Sequence, residues 1–241
     1  MKVVQISDLH LAKDPAYRIY GLVNTQDTFI DVLNQVKAEK PDLVIISGDL
    51  SQDGSAESYS RLKEQLQTLN CEVLTIYGNH DNPMAMQSNL IGNNIKHLPY
   101  KQSVAGTFIL CNSYQENLHT GLISASDLVN LENYLKSFAD CIIVIHHHFV
   151  KLNTFIDKYI LDNHVEFSAL LQKYQSKIKL CITGHVHNSY DNYVSGIPIH
   201  CGLSSCIQLA KTETVLFDLK RPGYTVYNFT ESGTEILDKY C

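Results

Sequence analysis

Long apolar runs and clusters of basic residues are both absent from this sequence of 241 residues. No segment approaches the ~20 apolar residues that a membrane-spanning helix needs, and no apolar segment precedes the first predicted strand at Lys2. The formal net charge is −6, and lysine and arginine form no cluster longer than a pair such as Lys220 and Arg221. We therefore expect a cytoplasmic protein with no membrane partner and no nucleic acid as its main substrate.

Internal repeats, low-complexity tracts and linkers are missing as well. With 44% hydrophobic residues the chain can bury a full core, and α/β units of this size commonly form one domain, so we predict a single domain over residues 1–241. The seven cysteines are odd in number, and Cys111, Cys141 and Cys181 lie in apolar runs, which predicts reduced thiols. The oligomeric state is left open between a monomer and a homodimer.

Five polar clusters each follow an apolar run that has the length and branching of a buried strand. These runs are residues 3–6, 43–46, 73–77, 142–145 and 180–183. Ligands in an open α/β sheet gather at the carboxyl ends of parallel strands, so we expect the clusters to meet at one edge. They contain seven candidate ligands for two metal ions: Asp8, His10, Asp49, Asn79, His146, His185 and His187.

Two of the clusters place candidate ligands two residues apart, namely Asp8 with His10 and His185 with His187. In an extended segment both side chains of such a pair point to one face, so each pair can bind one ion. Aspartate, asparagine and histidine, without a thiolate, suit first-row divalent ions better than soft copper. The candidate ions are therefore iron, manganese and zinc.

Helical patterns alternate with the predicted strands in the first part of the chain. Residues 25–40 and 56–69 place apolar side chains on one helical face, and Pro41 ends the first helix. This order predicts βαβαβ units with parallel pairing. Residues 124–127 have the pattern of a capping box that opens a helix reaching residue 138.

Beyond His187 the pattern changes to short alternating segments broken by glycine and proline. Segments 191–194, 197–201, 214–219 and 224–229 predict antiparallel strands and hairpins. The expected packing is a second sheet stacked on the first, with helices outside both. The predicted fold is therefore of the α/β class, a four-layer α/β/β/α sandwich.

The order Asp-x-His, Gly-Asp, Gly-Asn-His-Asp, His and Gly-His-x-His, from Asp8 to His187, resembles that of the calcineurin-like metallophosphoesterases. Segments 21–25, 49–59, 78–81, 146–148 and 204–208 look like those of the class III bacterial cyclic-AMP phosphodiesterases. The chain differs from many members at Phe149, where they have proline, and in segment 151–163, which has no tryptophan. The resemblance implies the same four-layer sandwich, built from two mixed sheets.

The resemblance also implies how the candidate ligands are shared between the two ions. Asp8, His10, Asp49 and His187 would bind one ion, and Asp49, Asn79, His146 and His185 would bind the other, with Asp49 as the bridge. Within the histidine triplet we choose His146, because it directly follows the strand. We expect His147 and His148 to point elsewhere and to contact the ligands or the substrate instead.

Two ions ~3.5–4 Å apart can hold a shared water as hydroxide for in-line attack on phosphorus. His80 is then the candidate general acid for the leaving oxygen, oriented by Asp81. For Asp81 the alternative role is the N-cap of a helix that begins at Pro83. The expected substrate contacts are Asn24, Asn79, His80 and His187, and an N-cap is again the alternative for Asn24. The histidines that match no motif, expected to be structural or exposed, are His97, His119, His164 and His200.

The leading functional hypothesis is hydrolysis of a 3′,5′-cyclic nucleotide to the 5′-monophosphate, with cyclic AMP favoured by the resemblance. One alternative keeps the chemistry but changes the ester, to a glycerophosphodiester, a phosphomonoester or a 2′,3′-cyclic nucleotide. A pocket built from Asn24 and segments 151–163 and 204–208 is expected to decide among these substrates. The other alternative is a non-catalytic metal-dependent scaffold, which would have no need of His80.

Overall fold

Strands and helices alternate through most of the chain in the computed structural model, which describes residues 1–215, 217–218 and 221–241. The helices are α1 (Thr25–Glu39), α2 (Ala56–Leu66), α3 (Pro83–Asn89), α4 (Ala125–Ser137) and α5 (His164–Lys173). The strands are β1 (Lys2–Ile6), β2 (Arg18–Ile19), β3 (Val23–Asn24), β4 (Leu43–Ile46), β5 (Glu72–Thr75), β6 (Ile95–Lys96), β7 (Tyr100–Ser103), β8 (Gly106–Cys111), β9 (Cys141–Ile145), β10 (Ile178–Thr183), β11 (Tyr190–Val194), β12 (Ile197–Cys201), β13 (Gln208–Leu209), β14 (Phe217–Asp218), β15 (Gly223–Thr230) and β16 (Gly233–Tyr240).

Two six-stranded sheets contain most of these strands. The first has the order β16-β15-β1-β4-β5-β6, and the second has the order β11-β12-β10-β9-β8-β7. The strands β1, β4, β5 and β6 pair in parallel, as do β8, β9, β10 and β12. Antiparallel strands flank each parallel set, so both sheets are mixed.

Three apolar clusters show how the layers stack. Phe29 of α1 packs with Val44 of β4 in a cluster between helices and the first sheet. The alternate β4 residues, Leu43 and Ile45, instead pack with Ile142 of β9 between the two sheets. A third cluster joins α4 and α5 to the other face of the second sheet. Period-two alternation thus gives each central strand one helix-facing and one sheet-facing side, and the predicted four-layer α/β/β/α sandwich is confirmed.

The strands after residue 187 are divided between the two sheets. β11 and β12 join the second sheet, whereas β15 and β16 extend the first. β12 is antiparallel to β11 but parallel to β10, so the expectation of antiparallel pairing alone is wrong there. The alternation pattern does not predict β16. Within the predicted strand 214–219, Phe217–Asp218 is a strand, and positions 216 and 219 lie outside the described residues.

Helix ends differ from the sequence-based boundaries by one to three residues. α1 ends one residue early because Lys40 adopts a left-handed conformation, with φ of 51°. α2 ends at Leu66 instead of residue 69, and α4 ends at Ser137. The predicted cap of α4 is confirmed, since the Ser124 side chain accepts a 3.1 Å hydrogen bond from the Asp127 N–H. Within the described residues, none of the helices has the length and apolar character that spanning a membrane requires.

Candidate active site

The loops after β1, β4, β5, β9 and β10 meet and hold one another by hydrogen bonds. The Asp8 N–H donates to the Gly48 carbonyl at 3.1 Å, and the Gly184 N–H donates to the His146 carbonyl at 3.0 Å. The His185 N–H donates to the Asp8 carboxylate at 3.1 Å. Loops from both sheets therefore form one continuous edge, as expected for the carboxyl ends of parallel strands.

The paired candidate ligands are oriented by left-handed backbone conformations and not by an extended backbone. Asp8, His10, Asp49, His185 and His187 all have positive φ, between 49° and 69°. The prediction of an extended Asp-x-His and His-x-His segment is therefore wrong. Left-handed residues other than glycine cost roughly 1–2 kcal/mol each, and such strain is typical of functional sites that the surrounding structure holds in place.

Glycine permits the close approach of the loops at two points. A Cβ on Gly48, whose φ is +104°, would lie 2.3 Å from His146 Nδ1. A Cβ on Gly78 would lie 2.2 Å from both the backbone nitrogen and the Oδ1 atom of Asp49. Each glycine directly precedes a predicted ligand, so these two glycines bring the β4, β5 and β9 loops into contact.

One group of donor atoms contains Asp8, His10, Asp49 and His187, whose candidate ligand atoms all lie within 4.8 Å of one another. His10 Nε2 lies 3.0 Å from His187 Nε2 and 3.5 Å from Asp49 Oδ2. His187 Nε2 lies 3.6 Å from Asp8 Oδ1. Ligands about 2.1 Å from a shared ion are themselves roughly 3.0–3.4 Å apart, so this group has the spacing of a metal site.

A second group lies on the other side of Asp49 and contains His146, His147 and His185. His146 Nε2 is 3.2 Å from Asn79 Oδ1 and 3.5 Å from Asp49 Oδ2. The structure thus separates His185 from His187, so the idea that each two-residue pair binds one ion is wrong for this pair. It does bring all seven predicted ligands into two adjoining groups.

His147 lies in the second group, and the choice of His146 as the ligand stays a prediction. The His147 Nδ1 atom lies 2.8 Å from Ser113 Oγ, and the His147 ring lies 4.6 Å from that of His185. Among the described residues, neither His147 Nε2 nor His185 Nε2 has a hydrogen-bond partner, although both are buried. His148 Nε2 lies 3.3 Å from Asp157 Oδ1.

Several observations test whether these residues fit a pair of divalent ions. Burial lowers the pKa of His10 and of His185 well below its ordinary value, which keeps both rings neutral with a lone pair available. Burial also lowers the pKa of His146, but Asp49 and Asp8 outweigh it and raise that pKa to about 9, so the site attracts positive charge. Buried nitrogens without a partner, beside carboxylates, are what a cation would satisfy.

Cys206 adds a sulfur atom that the sequence argument did not place at the site. Its Sγ atom forms a third potential donor group with His10 and His187. Burial raises the pKa of Cys206 to about 12, which keeps it as a thiol and makes it a weak ligand. Like the other six cysteines, it is a free thiol.

A cavity of about 250 Å³ opens above the donor groups. Its floor includes His10, Asp49, Asn79, His185 and His187, and its remaining lining is Tyr17, Ile19, Tyr20, Gln52, His80, His119, Phe155, Ile156, Tyr159 and Leu209. The tyrosines, Ile19, Gln52, His119 and Phe155 were not identified individually from the sequence. Segment 151–163 contributes to the wall as predicted, whereas segment 204–208 lies beneath it, where the Ile207 carbonyl accepts from His187 Nδ1 at 3.0 Å.

His80 faces this cavity. The main-chain N–H of His80 donates to Asp49 Oδ1 at 2.9 Å. The His80 ring centroid lies 4.9 Å from that of His10 and 5.4 Å from that of His119. His119 also lies 3.2 Å from the Asn79 amide nitrogen, so it belongs to the site and not to the structural histidines. No local motif distinguishes it, because its loop reaches the cavity only in the folded chain.

Asp81 has neither of the roles expected from the sequence. Its carboxylate accepts hydrogen bonds from the N–H groups of Gly78, Leu50 and Ser51 and from the Tyr59 hydroxyl, at 2.9–3.2 Å. The N-cap of α3 is Asn82. Burial and the charge of Asp49 raise the pKa of Asp81 to about 6. Asp81 joins the β4 and β5 loops instead of orienting the His80 ring.

Asn24 is the N-cap of α1 and does not line the cavity. Its Oδ1 atom accepts from the Asp27 N–H at 3.1 Å, and its Nδ2 atom donates to the Pro15 carbonyl at 3.2 Å. Asn24 therefore has the alternative role expected for it, the N-cap, and both ends of its amide are engaged locally. His97 and His200 are structural, as expected. His97 lies within hydrogen-bond distance of the Thr75 carbonyl, and His200 lies within that distance of two aspartates.

This geometry agrees with what comparison with known proteins shows. Residues 1–189 match the family described as calcineurin-like phosphoesterase, and the chain belongs to that family. Its members are metal-dependent phosphoester hydrolases, which implies a dinuclear divalent centre. The two adjoining donor groups around Asp49 fit such a centre.

Individual relatives are named for cyclic nucleotides. The chain is 29% identical to a 3′,5′-cyclic-nucleotide phosphodiesterase of Nostoc sp., over 97% of this chain and 90% of that protein. It is 30% identical to the 3′,5′-cyclic adenosine monophosphate phosphodiesterase of Haemophilus influenzae, over 97% of this chain and 87% of that protein. Its fold is similar to that of a dimetal phosphatase from Danio rerio, with a TM-score of 0.73 and 16% identity over 98% of each chain.

Proposed function

We propose that this protein hydrolyses 3′,5′-cyclic nucleotides, with cyclic AMP preferred, to 5′-monophosphates. The observation that carries the proposal is the cavity, which is lined at its base by candidate metal ligands and on its wall by aromatic side chains. Tyr17, Tyr20, Phe155 and Tyr159 form that wall. Aromatic rings stack on nucleobases, whereas the donors bind a phosphodiester, so the cavity matches both parts of a nucleotide. The names of the relatives support the same substrate class.

The assignment of ligands to the two ions is part of the proposal. Asp8, His10, Asp49 and His187 would hold one ion, and Asp49, Asn79, His146 and His185 would hold the other, with iron, manganese or zinc as the candidates. Asp49 is the proposed bridge because it is the carboxylate next to both groups. When bound, the two ions would make a nucleophile available from water and offset charge on the phosphoryl oxygens.

The remaining steps use side chains of this chain. Asn79 and His187 line the cavity at its floor and would contact the phosphoryl group. The aromatic wall would hold the base and keep water from that side of the substrate. The His80 ring, between the floor and His119, would give its proton to the leaving 3′ oxygen as the ester bond breaks.

Exchange of Tyr159 tests the substrate class. Tyr159→Ala should raise KM for cyclic AMP by about 5- to 150-fold, corresponding to ~1–3 kcal/mol of lost base stacking, and should change KM little for a glycerophosphodiester. Tyr193→Ala is the matched control, because Tyr193 is an exposed tyrosine on β11 outside the cavity. The measurement is steady-state kinetics on cyclic AMP, a 2′,3′-cyclic nucleotide, a glycerophosphodiester, a phosphomonoester and bis(p-nitrophenyl) phosphate.

Two outcomes of this comparison would contradict the proposal. A preference for cyclic AMP over bis(p-nitrophenyl) phosphate of less than about twofold in kcat/KM would leave the substrate class without support. Binding of two ions with no hydrolysis of any ester would favour the metal-dependent scaffold.

Exchange of His80 tests the proton donor. His80→Ala should lower kcat on cyclic AMP by ~10²–10⁴ but affect bis(p-nitrophenyl) phosphate much less, because nitrophenolate leaves without a proton. Metal content should be unchanged, and His164→Ala, at the start of α5, serves as the control. Equal losses on both substrates, with two ions still bound, would show that His80 positions the phosphoryl group and does not act as the acid.

A further inference from the structure

The side chain of Gln52 lies between the two parts of the candidate site. Its Oε1 atom is 2.8 Å from His10 Nδ1, and its Nε2 atom is 3.3 Å from His80 Nδ1. The amide of Gln52 therefore contacts both His10, a proposed metal ligand, and His80, the proposed general acid. The backbone holds it there, because the Gln52 N–H donates to the Leu11 carbonyl at 2.8 Å.

The surroundings of His10 decide which end of the amide faces it. His10 Nε2 points toward His187 Nε2, at 3.0 Å, and toward Asp49 Oδ2, at 3.5 Å. A cation bound there needs an unprotonated Nε2, which places the ring proton of neutral His10 on Nδ1. His10 Nδ1 then donates a hydrogen bond, and only the oxygen of the Gln52 amide can accept it.

This orientation directs the Gln52 NH₂ group toward His80. An amide N–H facing His80 Nδ1 requires a lone pair on that nitrogen, so the ring proton of neutral His80 must be on Nε2. The main-chain oxygen of Gln52, at 3.4 Å, could instead accept a proton from the same Nδ1 atom. That arrangement would leave the amide N–H facing a ring N–H, with two donors opposed and no acceptor between them.

We propose that Gln52 is a positioning residue that sets the tautomers of His10 and His80 together. It holds the His10 proton on Nδ1, leaving Nε2 for the cation, and it holds the His80 proton on Nε2. His80 then presents an N–H group to the leaving oxygen. The catalytic part of this inference rests on the proposed function, whereas the tautomers themselves do not.

Two substitutions separate the two contacts. A carboxylate in Gln52→Glu can still accept from His10 Nδ1, but it cannot donate to His80 and would draw the His80 proton onto Nδ1. We expect normal metal content in this variant, with kcat on cyclic AMP reduced by ~10–100-fold and a smaller loss on bis(p-nitrophenyl) phosphate. Gln52→Met keeps the side-chain length and loses both contacts, so metal affinity should fall as well, by ~10–100-fold. Gln67→Glu, on an exposed glutamine after α2, is the control for the chemical change.

Ring-nitrogen NMR of the zinc-loaded, ¹⁵N-histidine-labelled protein measures the tautomers without reference to activity. The His80 signals are those missing from His80→Ala. We expect the proton on Nε2 of His80 in the natural sequence and on Nδ1 in Gln52→Glu. A proton on Nδ1 in the natural sequence, or the same tautomer in both proteins, would overturn the inference. If the tautomers change as expected but cyclic AMP is not hydrolysed, the proposed function fails and the positioning role of Gln52 stands.

Discussion

Each histidine of the two donor groups has two ring nitrogens in different surroundings. His146 Nδ1 lies 2.8 Å from the Ser47 carbonyl, and His187 Nδ1 lies 3.0 Å from the Ile207 carbonyl. A carbonyl oxygen can only accept a hydrogen bond, so Nδ1 of each ring carries a proton and Nε2 is the atom that faces the carboxylates. Main-chain acceptors therefore prepare these rings for a cation before any cation binds.

The two adjacent histidines His146 and His147 should differ in their effect on metal binding. His146 contacts both Asn79 and Asp49, whereas His147 has its close contacts with Ser113 and His185. We expect His146→Ala to lose one ion per chain, and His147→Ala to weaken binding less, measured as metal content after dialysis. Loss of an ion from His147→Ala, with both ions retained in His146→Ala, would show that the ligand is His147.

At the scale of elements, short strands and tight loops matter more to the site than the helices. β4 and β5 are each four residues long, and the donors follow them almost at once. The Asp81 carboxylate then joins the two loops through three main-chain N–H groups. Little chain separates a donor from a hydrogen-bonded strand, so its position is held by the sheet.

A methyl group at Gly78 should disturb this contact. Gly78→Ala would place its Cβ 2.2 Å from Asp49, so the β5 loop must move, at a cost of ~1–3 kcal/mol in the free energy of unfolding. We expect weaker metal binding and at least about tenfold lower activity, because displaced ligands lose their shared geometry. Gly233→Ala is the control for lost stability outside the cavity: its φ of +139° strains an alanine, but a Cβ there meets nothing within 4 Å, so metal binding should be unchanged. Unchanged metal affinity in Gly78→Ala would mean that Asp49 is not held by this contact.

At the scale of the whole molecule, the two sheets are joined by polar contacts as well as by the apolar layer between them. His200 of β12, in the second sheet, lies 2.8 Å from Asp191 and 3.3 Å from Asp238 of β16, in the first sheet. The Thr225 hydroxyl donates to the same Asp238 oxygen at 2.6 Å. This buried histidine thus connects the sheets away from the active site.

The His200 contacts should make stability depend on pH. Burial lowers the pKa of His200, but Asp238 and Asp191 outweigh it and raise the pKa above 6.5. Burial raises the pKa of Asp238, but hydrogen bonds from His200, Ser189 and Thr225 outweigh it and lower the pKa below 3.8. The stabilisation that His200 contributes is fully present below pH 6.5 and is lost as pH rises through its raised pKa. The stabilisation that Asp238 contributes is present above pH 3.8.

His200→Gln should therefore destabilise the protein more at about pH 6 than at about pH 8.5, by ~1–3 kcal/mol at the lower value. Urea unfolding of both proteins at the two pH values measures the difference. An equal loss in the free energy of unfolding at both pH values would show that His200 stabilises the sheets by packing alone.

The sequence by itself determined five central strands, the order of the layers and the meeting of the seven predicted ligands, Asp49 among them, at one edge. Apolar runs with period-two alternation form strands locally, and parallel pairing brings their carboxyl ends together whatever the loops do. It also identified His80 at the cavity, because His80 is covalently next to Asn79.

Only the tertiary structure decided the surroundings of His119, His147, Gln52 and Asp81. Each depends on a partner distant in sequence or on the path of a loop, such as the segment that joins Asn79 to His119, 40 positions further along the chain. A loop's path follows from long-range packing and from non-glycine residues with positive φ, neither of which has a local sequence pattern. At such positions the local sequence is compatible with several roles, such as an N-cap, a core histidine or a metal ligand. The contacts that form when the chain folds select one of them.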